Sequence, residues 1–388
     1  MTPLRPALAA AVLLAAGACT PAAEKPLKPG QRPDPSSDEA GLWLQSKELE
    51  RKVRTSGKIV EDAQLTNYVN DTLCRVAQSY CGDIRLYVVR NPIPNAAMYP
   101  HGMMTVNTGM LLRFSNEAQL ANVLGHEVAH YRERHTYSRI ERQQAAMAGA
   151  MLSKLAIGMA GVAPPNQLIN LIAQGHVLAY SRSQEAEADR VGFRLLKRAR
   201  YDVQEAAEFW DTMIAEREAA DATTPPVFLS THPPSKQRMA ELKELAREVD
   251  GKHREEPSHG QRYWDHISPH VGPWMDDAVA LQRWDRIQFV LDRLREQPVA
   301  PGLIQFYQGE LYRGRDGHTR DALQTLRAAC PKPGSPTRCY RSLGMVLWDQ
   351  GRKTRAAEAF EHYLDANPDA GDEPMVRSYI KDLRGDDT

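Results

Sequence analysis

The sequence predicts an α+β chain: a mainly helical domain carrying a small β-sheet, followed by an all-α domain of helix pairs. Three observations predict it. Apolar residues recur at helical spacing through most of the chain. Two short runs, residues 84–89 and 103–108, read as strands. Residues 271–388 repeat small and aromatic residues at fixed offsets. The chain has 388 residues, with 49 Lys+Arg against 49 Asp+Glu and 42% hydrophobic residues. At ~100–200 residues per domain, that length suggests two folded units plus tails. A formal net charge of zero argues against nucleic acid as a partner, because phosphate contacts need a basic footprint. After residue 20 no apolar run reaches ~18 residues, which argues against a polytopic membrane protein.

Residues 1–18 read as a secretory signal. Arg5 supplies the positive start, Ala7 to Ala16 a short apolar run, and Ala16-Gly17-Ala18 a small-residue cleavage site. Cys19 follows directly. The segment resembles the lipobox of bacterial lipoproteins and also fits ordinary cleavage, so lipidation at Cys19 is one of two readings. Either reading exports the chain. With lipid, Thr20 after the Cys favours the outer membrane by analogy. Residues 19–40 are Pro-rich without an apolar period, the composition of a solvated tether.

From residue 41 to 73 the apolar spacing is helical, through Leu42, Leu49, Val53, Leu65, Val69 and Leu73. Ile84, Leu86 and Val88 share one face of the first strand, and the Asn91-Pro92-Ile93-Pro94-Asn95 break ends it. Gly109 closes the second strand. Ser115 offers an N-cap to a helix running to about Arg134. Residues 145–161 are rich in Ala, Gly and Met, which suits either a buried helix beside the site or a membrane-dipping one. Residues 251–262 are charged and apolar-poor. The expected organisation is one domain over 41–250, a linker over 251–270 and a helical domain over 271–388.

With Cys19 set aside, four cysteines fall into two near pairs. An oxidising compartment permits disulfides, so Cys74–Cys81 and Cys330–Cys339 are expected as local staples, against the alternative of four free thiols. In the last domain, Leu343, Gly344, Leu347, Ala356, Phe360 and Pro368 stand at the offsets of a tetratricopeptide repeat. Gly309, Tyr312, Ala322, Leu326 and Ala329 outline an earlier unit, and residues 275–298 a degenerate third. Such helix pairs cannot bury their faces alone, so they stack and leave a concave surface.

The chemistry lies in His126-Glu127-Val128-Ala129-His130. Two His at i and i+4 share one helical face, close enough to bind one Zn²⁺. Glu127 beside them is placed to act as base toward an attacking water. Catalytic zinc needs a third protein ligand. A later His on the same segment is excluded, because the positions that would carry the required Gly and His hold Glu133 and Thr136. Glu185 and Asp189, again i and i+4, answer the need: Glu185 as third ligand, Asp189 as acceptor from the second ring nitrogen of a ligand His, most naturally His126. Glu187 between them reads as a solvated charge. The remaining histidines, His101 and His135 among them, lack partner spacing and read as structural or exposed.

His126-Glu127-Val128-Ala129-His130, the E-x-x-A-D core of residues 180–189 and the run 100–111 resemble the gluzincin family of HtpX and the CAAX prenyl proteases. The resemblance spans roughly residues 41–250. It implies a zincin-like protease domain, α+β with a small sheet, ahead of the tetratricopeptide-like domain. It implies a role for His232 and Arg238 in the H-P-x-x-x-x-R segment: His232 to stabilise an oxyanion or to cap zinc at rest, Arg238 to support the cleft. It implies also that Met103, Met104, Thr105, Val106 and Asn107 form an edge strand that binds extended substrate. The expected activity is that of a zinc endopeptidase with one Zn²⁺ per chain. It would sit in the periplasm, anchored to the outer membrane by lipid only, and cleave unfolded or misassembled envelope polypeptides. The outer-membrane β-barrel assembly machinery would be its partner. The competing expectation is a chaperone-like adaptor acting through the helical domain, with proteolysis secondary.

Overall fold

A computed structural model describes residues 25–142, 179–220, 227–249, 257–317 and 319–385. The signal segment, Cys19 and the Ala/Gly/Met-rich stretch 145–161 lie outside the described residues.

The fold is α+β and mostly helical, with one three-stranded sheet. Helix α1 (Asp38–Arg54) starts at Ser37, whose side chain accepts from the Ala40 amide, and α2 (Ala63–Ala77) starts at Asp62, which accepts from Leu65. The helical spacing expected over 41–73 is carried by these two helices. Gly57, at φ 67°, lies in the connection between them.

Strands β1 (Arg85–Val89), β2 (Ala96–Met98) and β3 (Met103–Asn107) follow. Their spatial order is β1-β3-β2. β1 runs parallel to β3 with Arg85 opposite Met103, and β2 runs antiparallel to it with Ala96 opposite Val106. This corrects one expectation. Met103, Met104, Thr105, Val106 and Asn107 are buried and hydrogen-bonded on both sides, so they offer no edge to a substrate. A strand enclosed on all sides reads as a continuous apolar run, and that run carries no information about strand order. The outer edge nearer the site belongs to β2, which follows the expected Asn91–Asn95 break and for which no strand was expected.

Helix α3 (Thr108–Leu111) leads to α4 (Glu117–Arg132). The α4 cap is Asn116, which accepts from Gln119; Ser115, one residue earlier, accepts from Arg293 instead. Then come α5 (Arg182–Arg198), α6 (Glu205–Ala219), α7 (Val227–Thr231), α8 (Lys236–Arg247), α9 (Gly260–Ile267), α10 (Val271–Ala280) and α11 (Trp284–Leu294). The chain ends in α12 (Pro301–Asp316), α13 (Arg320–Ala329), α14 (Cys339–Asp349), α15 (Lys353–Ala366) and α16 (Glu373–Arg384).

Two segments expected to be solvated are built into the fold. Leu27, in the presumed tether, is buried; its amide donates to the Arg132 carbonyl and its carbonyl accepts from Tyr80. One apolar residue is enough to anchor a stretch whose composition otherwise reads as solvent-exposed. In the presumed linker, α9 buries Tyr263, Trp264 and Ile267. Tyr263 donates to the Leu111 carbonyl and Trp264 to that of Ser115, which fixes the entry to α4.

Both local disulfides, Cys74–Cys81 and Cys330–Cys339, are formed. In the last helices the small residues sit at close crossings. A Cβ on Gly309 would come within 2.6 Å of Leu326, and one on Gly344 within 2.6 Å of Phe360. One hydrophobic core runs from Leu27 to Leu383. Arg90 reinforces it by an ion pair to Asp277 at 2.7 Å. Among the described residues no helix is long and apolar enough to cross a membrane.

Candidate metal centre

Helix α4 is enclosed on all faces from Glu117 to Tyr131. It bears two histidines and two glutamates, so its burial needs partners for them. Glu117 is met by Arg75 and Tyr201, whereas the carboxylates that face the histidines come from α5, which opens with a capping box at Ser181 and Gln184. The two helices cross main chain to main chain at Gly125 and Gly192.

At that crossing the predicted donors converge. His126 Nε2 lies 3.1 Å from His130 Nε2 and 3.3 Å from His232 Nδ1. Glu185 Oε1 lies 3.0 Å from His232 Nδ1 and 3.5 Å from His130 Nε2. One donor atom from each of the four residues falls within 4.8 Å of every other, and all four residues are buried. Ligands held ~2.0–2.1 Å from one Zn²⁺ in a tetrahedron stand ~3.3 Å apart. These four separations, 3.0–3.5 Å, lie close to that spacing, and three imidazoles with one carboxylate are a borderline-soft donor set suited to zinc. The residues fit the ion.

His126, Glu127, His130 and Glu185 are all perturbed in their titration, as at functional sites. Burial opposes the charge on Glu185, but His232 and His126 hold it well below the ordinary carboxyl range. Burial opposes charge on His126 too, yet the hydrogen-bonded Asp189 and Glu185 raise it to about 9. His130 is pushed well below the usual range by burial first and by His126 second. Glu127 is raised, chiefly by burial, and neither carboxylate oxygen has a hydrogen-bond partner among the described residues. Its Oε1 lies 3.3 Å from His232 Nε2. A buried carboxylate without a hydrogen bond, beside a donor cluster, is expected where a water and a substrate are to be handled.

The supporting contacts are also specific. Asp189 Oδ1 lies 3.1 Å from His126 Nδ1. Arg238 clamps the same carboxylate, Nε to Oδ2 at 2.6 Å and Nη2 to Oδ1 at 2.8 Å. It also reaches Glu185 Oε2 at 2.7 Å and lies 4.6 Å over the Trp210 ring. Arg238, expected to support the cleft, sits behind the donors and holds two of the α5 carboxylates. A cleft beside the centre is lined by Met98 and Ala97 of β2 with Glu127, Tyr180 and His232.

Sequence reasoning missed three participants. β2 spans only Ala96–Met98, too short for an alternation signal. Tyr180 stacks on His130 at 3.8 Å. His135 lies against His130 and reaches Glu187, so Glu187 is not simply a solvated charge. The expected substrate strand, residues 103–107, is one strand removed from the cleft.

A buried His-Glu-x-x-His helix, with a carboxylate brought in by the next helix, defines a zinc metallopeptidase site. Residues 60–246 match peptidase family M48. The chain is 31% identical to the putative beta-barrel assembly-enhancing protease of Vibrio cholerae, over 51% of this chain and 42% of that protein. It is 28% identical to the beta-barrel assembly-enhancing protease of Escherichia coli, over the same shares of 51% and 42%. It is 34% identical to the mitochondrial metalloendopeptidase OMA1 of Schizosaccharomyces pombe, over 48% of this chain and 55% of that protein. The matched region thus spans about half the length of these relatives.

Proposed function

We propose that this chain is a zinc endopeptidase of the bacterial cell envelope that cleaves misfolded or stalled envelope polypeptides. The observation that carries the reading is the four-donor cluster with Glu127 beside it, a buried carboxylate that makes no hydrogen bond among the described residues. His126, His130 and Glu185 would hold one Zn²⁺. Bound zinc supplies Lewis acidity toward the scissile carbonyl and toward water. Glu127 takes the proton of the attacking water and passes it to the leaving amine; its upward shift by burial brings it closer to that task. The outer edge of β2, which pairs with no strand among the described residues, accepts an extended main chain, so a client must be locally unfolded to be cut. His232 fills a donor position next to Glu185 and His126, which supports a resting state capped by its side chain.

Relatives named for β-barrel assembly support outer-membrane proteins as clients and the assembly machinery as partner. The stacked pairs α12–α13 and α14–α15 support a tetratricopeptide-like surface that recruits them. Export and attachment through Cys19 would place the enzyme at the periplasmic face of the outer membrane.

The test is metal analysis and cleavage of an unfolded polypeptide. Wild type should hold one zinc per chain, and Glu185→Ala should lose it. Glu127→Gln should keep zinc and lose cleavage by ~10²–10⁴-fold. Equal zinc in wild type and Glu185→Ala would overturn the ligand set, and full cleavage by Glu127→Gln would remove that residue from the chemistry. A Glu127→Gln chain that still restored envelope integrity would make the adaptor role primary.

A further inference from the structure

Each histidine of α4 has one ring nitrogen among the metal donors and one turned away. For His126 the outer nitrogen, Nδ1, meets Asp189 at 3.1 Å. For His130 it meets another ring: His130 Nδ1 and His135 Nδ1 are 3.0 Å apart, in a buried contact. His135 Nε2 lies in turn 3.3 Å from Glu187 Oε2. A histidine binds metal through an unprotonated nitrogen. With Nε2 as donor, His130 carries its proton on Nδ1 and donates it. His135 Nδ1 then accepts, its own proton sits on Nε2, and Glu187 accepts that one. Every nitrogen in this chain has a partner of the right kind.

We propose that His135 and Glu187 are positioning residues for His130, a histidine–carboxylate relay that fixes its tautomer and ring orientation for metal binding. The inference rests on the reading of His130 as a metal ligand. Helix α5 then serves the site three times: Glu185 binds, Asp189 orients His126 directly, and Glu187 orients His130 through His135. The relay is built to stay in place. Gln184 donates to the His135 carbonyl at 3.1 Å, and the Tyr180 ring stacks on the far side of His130. The two branches differ in exposure. Asp189 is buried and clamped by Arg238, whereas the Glu187 side chain is 51% exposed. The His130 branch is therefore the weaker of the two and the one solvent can reach.

The experiment is zinc titration of the full chain against a competing chelator, with ¹⁵N spectra of the histidine rings. Wild type should bind zinc and show His130 protonated on Nδ1. His135→Leu should weaken zinc by ~10–100-fold and mix the His130 tautomers. His135→Gln, whose side-chain oxygen can accept the same proton, should recover most of the affinity. Glu187→Gln, at a half-exposed position where folding is not at stake, should shift the affinity in the same direction by a smaller factor. Unchanged affinity and tautomer in Glu187→Gln and His135→Leu would overturn the proposal. Equal losses in His135→Leu and His135→Gln would also overturn it, by assigning His135 to packing alone. A wild-type chain that bound no zinc would instead overturn the metal reading itself.

Discussion

Gly192 and His126 touch through their main chains: a Cβ on Gly192 would lie 3.0 Å from the His126 nitrogen and 3.1 Å from its Cα. That contact sets the distance between the helix that carries the imidazoles and the helix that carries the carboxylates. Gly192→Ala must move α5 away by a few tenths of an ångström, because backbone atoms cannot step aside. Overpacking of this kind costs ~1–3 kcal/mol. Urea melts should show that loss, and zinc affinity should fall with it as Glu185 and Asp189 withdraw. A variant matching wild type in both would show that the crossing has slack.

Asp189 stands between His126 and Arg238, with both partners buried. Asp189→Asn keeps the shape and removes the charge that both neighbours face. Zinc affinity should drop by ~10–100-fold, the usual result of losing a carboxylate behind a ligand histidine. Stability should drop as well, because the Arg238 guanidinium loses its main counter-charge in a buried position. Isothermal titration with zinc and a denaturant melt separate the two effects.

His232 should restrain the enzyme at rest. His232→Ala would free the donor position that its Nδ1 occupies beside Glu185 and His126, and cleavage of a short unstructured peptide should rise. A fall of ~10²–10³-fold would assign the oxyanion role instead. Steady-state assays at matched zinc occupancy decide between the two.

Acid should loosen the junction between α1 and the sheet. Glu50 receives hydrogen bonds from Arg85 at 2.8 Å, Tyr87 at 2.7 Å and His101 at 2.7 Å. Burial works against its charge, but Arg85 first, then Tyr87 and His101, bring its pKa down to about 2. A folded pKa below the unfolded one stabilises fully above ~4.3, and the contribution is lost as pH falls toward about 2. His101 is pushed down by burial, so the unfolded chain takes up its proton first, near ~6.5, and this acts in the same direction. Between roughly pH 7 and pH 3 the wild-type chain should lose more denaturation free energy than Glu50→Gln. Parallel losses in the two chains would dismiss Glu50 as the acid-sensitive group.

The helix bearing His126 and His130 was legible because spacing of four residues fixes a shared face, and Glu185 with Asp189 repeats that spacing. His135 was not legible, because its contact with His130 depends on where α4 stops. The helix ends at Arg132, and Arg134 takes φ 54°, so the chain folds back and sets His135 beside a residue five positions earlier. No helical wheel contains that neighbour. β2 escaped for a different reason: three residues between a proline-rich turn and a tight loop carry too little pattern, so β3 took its place as the expected edge. The burial of Leu27 was hidden because a single anchor does not alter the composition of a polar stretch, and the packing of α9 because Tyr263, Trp264 and Ile267 follow directly on the charged run 251–262.

The continuous core and the cross-links Arg90–Asp277 and Arg293–Ser115 hold the C-terminal helices against the metal-bearing half. A polypeptide gripped on those helices would meet His126 and His130 at a set contour length from its point of capture. On the proposed reading the enzyme would then work as a caliper, cutting by count of residues from the grip rather than by the side chains around the bond. Mapped fragments from unrelated clients should share a spacing and lack a motif.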